Sequence, residues 1–239
     1  MPESEQKNAV VRRMEYLTGL WNAFAEKAEP RLLRWLAVQD DARMIDLFIE
    51  LQNDDFGDTP DLFIRFDEPF EKSELYGFTL RTALENKYAE IRDSLAQDGV
   101  KADWDCPQPD DDDTDQMAFL RACFSLQEYY GDLCERLVIF LAPTTIFDSE
   151  AWNQWLADVI AADLPEGVRV TVIDDKESPA LDKLAEDAPE LVETVDPALD
   201  MQDALQELAE QPEAVGPGPE FRRHFIALTK ASGQGDLEA

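Results

Sequence analysis

Histidine is almost absent from this chain. Its 239 residues contain one, His224. A serine-based nucleophile needs an imidazole to accept its proton, so such a site would require His224, near the end of the chain in an Arg-Arg-His-Phe context, to reach back to a distant centre. Metal centres built from several histidines are excluded. Cysteine is scarce too. Cys106, Cys123 and Cys134 are odd in number, scattered, without metal-ligand spacing and without a base at readable distance. Cys123 and Cys134 fall in an apolar helical pattern and are expected to fill core space, which suits a reducing cytoplasm. Glycine-rich turns are missing: neither a Walker pattern nor GxGxxG occurs, so no loop offers backbone N–H groups to a phosphate. No apolar run approaches the ~20 residues that span a bilayer. The opening Met1-Pro2-Glu3-Ser4-Glu5 is polar and acidic, unlike a secretory signal. Basic charge is also sparse, with 21 Lys and Arg against 53 Asp and Glu and a net charge of −32. Nucleic acids and anionic membranes both require basic surface, so neither is expected as a partner.

What is present is core-forming material, 44% apolar and 10% aromatic residues, enough for a packed fold. The chain is organised around residues 137–195, which read as strand, helix, strand, helix, strand. Leu137-Val138-Ile139-Phe140-Leu141 suits a strand buried on both faces of a parallel sheet. Asp148 or Ser149 can cap a helix carrying Trp152, Trp155, Leu156, Val159 and Ile160 at three- and four-residue spacing. Val168, Val170, Val172 and Ile173 form a second strand ending at Asp174-Asp175, Ser178-Pro179 opens a short helix, and Leu191–Val195 is a third strand. Asp196-Pro197 opens a helix carrying Leu199, Leu205 and Leu208. Alternation of this kind implies right-handed crossovers and a mostly parallel sheet.

The residues before it read as helical. Val10, Met14, Leu17, Trp21 and Phe24 lie three or four apart. Pro30 is expected to start a second helix with Leu32, Leu33, Trp35 and Leu36. Asp40 and Asp41 can cap a third with Met44, Leu47, Phe48 and Leu51. The aromatic residues here serve either as core or as a partner groove. Asn53–Asp58 is an acidic loop without EF-hand spacing, since Ile64 stands at its twelfth position. Asp61–Phe66 reads as a strand or an extended docking segment. A long helix from Ser73 stops near Gly99. Residues 103–115 hold seven aspartates and two prolines and read as a solvated loop and domain boundary, not a metal site. An amphipathic helix follows from Thr114. After Leu208 comes a Pro/Gly linker, then a last helix with Phe221, Phe225, Ile226 and Leu228. Between Ala142 and Val215 stand 19 acidic and 3 basic residues, whereas that last helix carries Arg222, Arg223, His224 and Lys230. No internal repeat is evident, and carboxylates are too abundant to single out a glycosidase-type dyad.

Three stretches, Leu20-Trp21-Asn22-Ala23-Phe24, Leu32-Leu33-Arg34-Trp35-Leu36, and Asp61-Leu62-Phe63 through Pro69-Phe70, resemble the start of uncharacterised accessory proteins encoded beside type VI secretion genes. Pro219–Phe225 and Gly235-Asp236-Leu237 resemble the lead-in to the helical repeats of such proteins. The resemblance implies a protein that helps load or assemble secreted effectors. It carries over no functional residue.

The expected fold is α/β: a helical N-terminal region followed by a small three-stranded, mostly parallel Rossmann-like domain. The divisions are 1–102 (helical), 103–115 (acidic loop), 116–210 (α/β) and 211–239 (linker and C-terminal helix). The expected function is a non-enzymatic, cytoplasmic protein-binding adaptor or chaperone-like accessory of type VI secretion. It would have no catalytic residues, cofactor or metal. Its partner would be a secreted effector or spike component, met by Trp21, Trp35, Phe63 and Phe70. Two alternatives stand beside it. One is a true or degenerate nucleotide-binding domain at the strand ends near Thr144, Asp174 and Asp196, where Asp174 would be the ribose-binding acid or an ordinary strand-end residue. The other is an acidic inhibitor or immunity protein covering a basic toxin.

Overall fold

Five parallel strands form one sheet in the computed structural model, which describes residues 9–53 and 57–210. The strands are β1 (Leu32–Ala37), β2 (Leu62–Phe66), β3 (Leu137–Leu141), β4 (Val168–Asp175) and β5 (Val192–Val195), in the order β2-β3-β4-β1-β5. The helices are α1 (Ala9–Ala25), α2 (Gln39–Leu51), α3 (Ser73–Gln97), α4 (Asp115–Tyr130), α5 (Ser149–Ala161), α6 (Asp182–Asp187) and α7 (Met201–Glu210). One sheet face, with Leu33, Trp35, Phe63, Val138 and Phe140, packs on α1, α2 and α7. The other, with Leu32, Phe66, Ile139, Val170 and Val172, packs on α3 to α6. Alternate side chains of a strand face opposite ways, so each strand feeds both cores.

The α/β class with a parallel sheet is as expected, but the sheet has five strands and not three. Residues 32–37, expected as a helix, form β1, which lies between β4 and β5. A short apolar run buried on both faces has no alternation, so periodicity cannot separate strand from helix there. Arg34 disguised it further, because a central strand is not expected to carry a charge. Residues 62–66 take the strand reading and pair with β3. The N-terminal region is therefore not purely helical: strands from both sides of residues 103–115 share the sheet. That segment is also anchored, with Trp104 and Cys106 buried and the Trp104 indole donating to Ser125 Oγ at 3.1 Å. Residues 54–56 of the first acidic loop, and the linker and last helix after 210 with His224, lie outside the described residues.

Asp148 caps α5 by accepting from the N–H groups of Glu150 and Ala151, both at 3.0 Å, and Thr114 caps α4. Gly99, at φ 77°, ends α3 in the left-handed conformation, and the Val100 N–H closes back on Leu95 O at 2.9 Å. Asp115 holds three helices together. Its carboxylate accepts from the Gly77 N–H of α3 at 2.8 Å and from the Trp155 indole of α5 at 2.9 Å.

The interior should make the protein sensitive to alkali. Burial holds the Cys123 thiol well above its ordinary range. Burial, with Glu68 and Asp67 adding repulsion, likewise raises the Tyr76 phenol. Above pH ~9 the unfolded chain releases thiol and phenol protons that the folded chain keeps, so stability falls as pH rises. The melting temperature should decline steadily from pH 9 to 11. The decline beyond pH 10 should be shallower in Tyr76→Phe, which has no phenol to ionise; equal slopes in both proteins would exclude Tyr76 as a source.

Candidate functional site at the carboxyl ends of the strands

From β1 the chain passes through α2 on one face to β2 at the far edge. It then returns through β3 and β4 with its helices on the other face. Right-handed crossovers require this change of face when direction reverses. The winding therefore reverses between β1 and β4, and ligands of open α/β sheets bind in the crevice at the carboxyl ends beside such a point. A cleft of about 380 Å³ opens there. Its walls include Gln39, Arg43 and Asp46 of α2, Arg65 of β2, Pro143 and Ile146 of the loop after β3, Trp152 of α5, and Asp174 of β4.

The charged groups of this cleft are mutually engaged. Arg65 forms an ion pair with Asp46, and its guanidinium lies 5.3 Å over the Phe140 ring. Arg43 pairs with Asp40 at 3.3 Å. Asp174, only 5% exposed, accepts from Arg34 Nε at 2.8 Å, from the Ala180 N–H at 2.9 Å and from the Leu181 N–H at 3.1 Å. Arg34 also reaches Asp182 at 2.5 Å. Asp174 is thus a structural hub joining β1, β4 and the start of α6, with both oxygens committed. Thr144 donates its N–H to Asp67 O at 3.2 Å and Asp196 pairs with Lys176, and neither lines the cleft.

The strand that precedes the crevice is β1, which shows which turn would face a phosphate. That turn runs Ala37-Val38-Gln39-Asp40-Asp41, and Val38 provides no side-chain cap for α2. A phosphate-binding strand–loop–helix unit needs glycines and a lysine at this position. Here two carboxylates occupy the first helical turn, and Asp41 is consumed by the Leu199 and Met201 N–H groups at 3.0 and 3.3 Å. The strand ends expected to hold a nucleotide, near Thr144, Asp174 and Asp196, omit this turn because residues 32–37 read as a helix in sequence.

All four aromatic residues expected to meet a partner lie in the interior. Trp21 and Trp35 are 0% exposed, Phe63 3% and Phe70 1%. Trp21 donates its indole N–H to Asp61 at 2.8 Å and packs 4.8 Å from Phe63. The buried Trp35 indole N–H has no partner among the described residues. Phe70 belongs with Tyr76, Trp152 and Trp155 to an aromatic cluster, and Trp152 of that cluster also lines the cleft. The exposed aromatic ring of this region is Phe147, 69% exposed and next in chain to the cleft residue Ile146. Its position in a loop, outside any helix or strand, leaves no periodic signal by which to find it.

Among the described residues no group of three or more histidines, cysteines or carboxylates is arranged to hold a metal. Of the loop aspartates, Asp110 and Asp113 pair with Arg121, and Asp103 accepts from the Tyr129 phenol. No described helix is long and apolar enough to cross a membrane. The fold and crevice define a doubly wound parallel α/β protein with a cleft at its switch point whose walls are largely apolar and whose charged groups are paired. The sequence matches no protein-family model and no curated protein.

Proposed function

We propose that this protein is a non-enzymatic protein-binding module, an adaptor or chaperone-like accessory of type VI secretion, that seats a segment of its partner over the carboxyl-end cleft. The observation that carries this reading is the composition of the switch-point crevice. The turn that would cradle phosphate carries Asp40 and Asp41, without glycine or lysine, and the Asp174 carboxylate is consumed by Arg34 and backbone amides. What the crevice offers instead is Arg43 and Arg65 in its walls and exposed Phe147 beside it. Arginine and aromatic residues are the types that dominate protein interfaces. The nucleotide alternative is disfavoured because the turn after β1 offers a phosphate neither glycine nor lysine. The type VI assignment rests on the resemblance of the aromatic stretches described above, the cytoplasmic location on the unpaired cysteines, and the partner class is accordingly a secreted effector or spike component.

The test is affinity capture from the native cell, with the protein and its Phe147→Asp variant as parallel baits and mass spectrometry of the retained material. The proposal expects an effector, spike or spike-tip protein on the wild-type bait and at least a roughly tenfold lower yield on the variant, the loss of about 1.4 kcal/mol. Absence of any secretion component from the wild-type bait refutes the type VI role. Equal yield on both baits refutes the cleft as the docking face.

A further inference from the structure

A second concavity, of about 490 Å³, runs between α5 and α6 on the face opposite α7, and the cleft residues play no part in it. Its apolar lining includes Ala157, Ile160, Leu184 and Leu191. Glu150 and Asp187 stand on it against one lysine, Lys183. Exposed Asp158 of α5 and Glu186 of α6 add negative charge to the same two helices. An occupant suited to this surface is apolar along one side and basic along the other.

The chain itself contains such a segment outside the described residues. Phe221, Phe225 and Leu228 recur at four and three, and Arg222, Arg223 and Lys230 stand between and beyond them. We infer that the α5–α6 groove is the docking site of the chain's own segment Phe221–Lys230. Three observations support this assignment. The first is charge: the 19 acidic and 3 basic residues from Ala142 to Val215 make this stretch of the protein strongly negative, and the segment has the opposite sign. The second is reach. Helix α7 ends at Glu210, and the ten residues to Glu220 span up to about 33 Å, against about 20 Å between the helix layers on either side of a sheet. The third is the route. β5, which lies between α6 and α7 in the chain, is an edge strand, so the connection passes round an open side of the sheet. Tethering places the segment at an effective concentration in the millimolar range, so modest contacts suffice to fill the groove.

The test is amide hydrogen exchange on the full 239-residue chain. It compares the wild type with Phe225→Asp and with the doubly reversed Glu150→Lys/Asp187→Lys, whose two positions are exposed. Exchange over α5 and residues 182–191 should be roughly tenfold faster in both variants, with the thermal transition of the sheet unmoved. Identical exchange in wild type and Phe225→Asp overturns the assignment. Protection that grows with protein concentration also overturns it, because the groove is then filled by a second copy.

Discussion

Asp174→Ala is expected to cost the fold about 4 kcal/mol, read as a lower midpoint of urea denaturation. The magnitude follows from what the substitution leaves behind. Arg34 is 3% exposed and keeps only Asp182, whose side chain is 59% exposed and loses much of its strength to solvent. The N–H groups of Ala180 and Leu181 lose their acceptor at the same time. Breaking a buried pair by removing one partner typically costs about 3–5 kcal/mol, a large share of the ~5–15 kcal/mol that stabilises a domain. Two further variants separate the charge from the hydrogen bonds. Asp174→Asn retains an acceptor for the backbone amides and should recover part of the loss. Arg34→Met combined with Asp174→Ala removes the stranded cation and should be less destabilised than Asp174→Ala alone, although the two amides stay unpaired. If Asp174→Ala unfolds within about 1 kcal/mol of the wild type, the hub is not holding β1, β4 and α6 together.

Gly77→Ala should be at least as damaging for its size. A single methyl group at this position would overlap the backbone carbonyl of Asp115 and approach its carboxylate oxygen to 2.9 Å. The obstacle is main chain at the first turn of α4, so it cannot swing aside as a side-chain end could. Either α3 moves away from α4 or the Gly77 N–H···Asp115 bond opens, and Asp115 then loosens its hold on the Trp155 indole. Overpacking a core costs about 1–3 kcal/mol where side chains can adjust, and the upper end or beyond is expected against backbone. Glycine to alanine inside a helix normally gains about 1 kcal/mol from helix propensity, so a net loss here is diagnostic of the close approach. Gly19, in α1, is the internal control: among the described residues nothing beyond its chain neighbours and the adjacent backbone of α1 lies within 4 Å of its Cβ position, and Gly19→Ala should leave the protein as stable or more so. Thermal melts of the two variants side by side make the comparison; equal behaviour would show that α3 and α4 can separate without penalty.

Some of this protein was decided by local pattern. The apolar run Leu137–Leu141, stopped at once by Ala142-Pro143, suits a strand buried on both faces and forms one, and the spacing of Trp152, Trp155, Leu156, Val159 and Ile160 defines the buried face of α5. Asp148 and Thr114 cap their helices because their side chains reach amides two or three residues on, an interaction that needs no tertiary partner. The strong negative charge and the absence of a glycine-rich phosphate loop are likewise facts of composition. The identity of β1 was not local. Leu32–Ala37 is a strand because β4 and β5 flank it and because Asp174, 140 residues away in the chain, neutralises Arg34. Which aromatics are core and which face solvent was also settled by packing: Trp21, Trp35, Phe63 and Phe70 are enclosed by two helical layers, while Phe147 projects from a loop. The position of the crevice depended on both. It lies where the winding of the sheet reverses, and that reversal exists only once strands far apart in sequence have taken neighbouring places. Residue pattern reports the short-range preferences of the backbone, whereas strand order and charge pairing come from contacts closed across long stretches of chain.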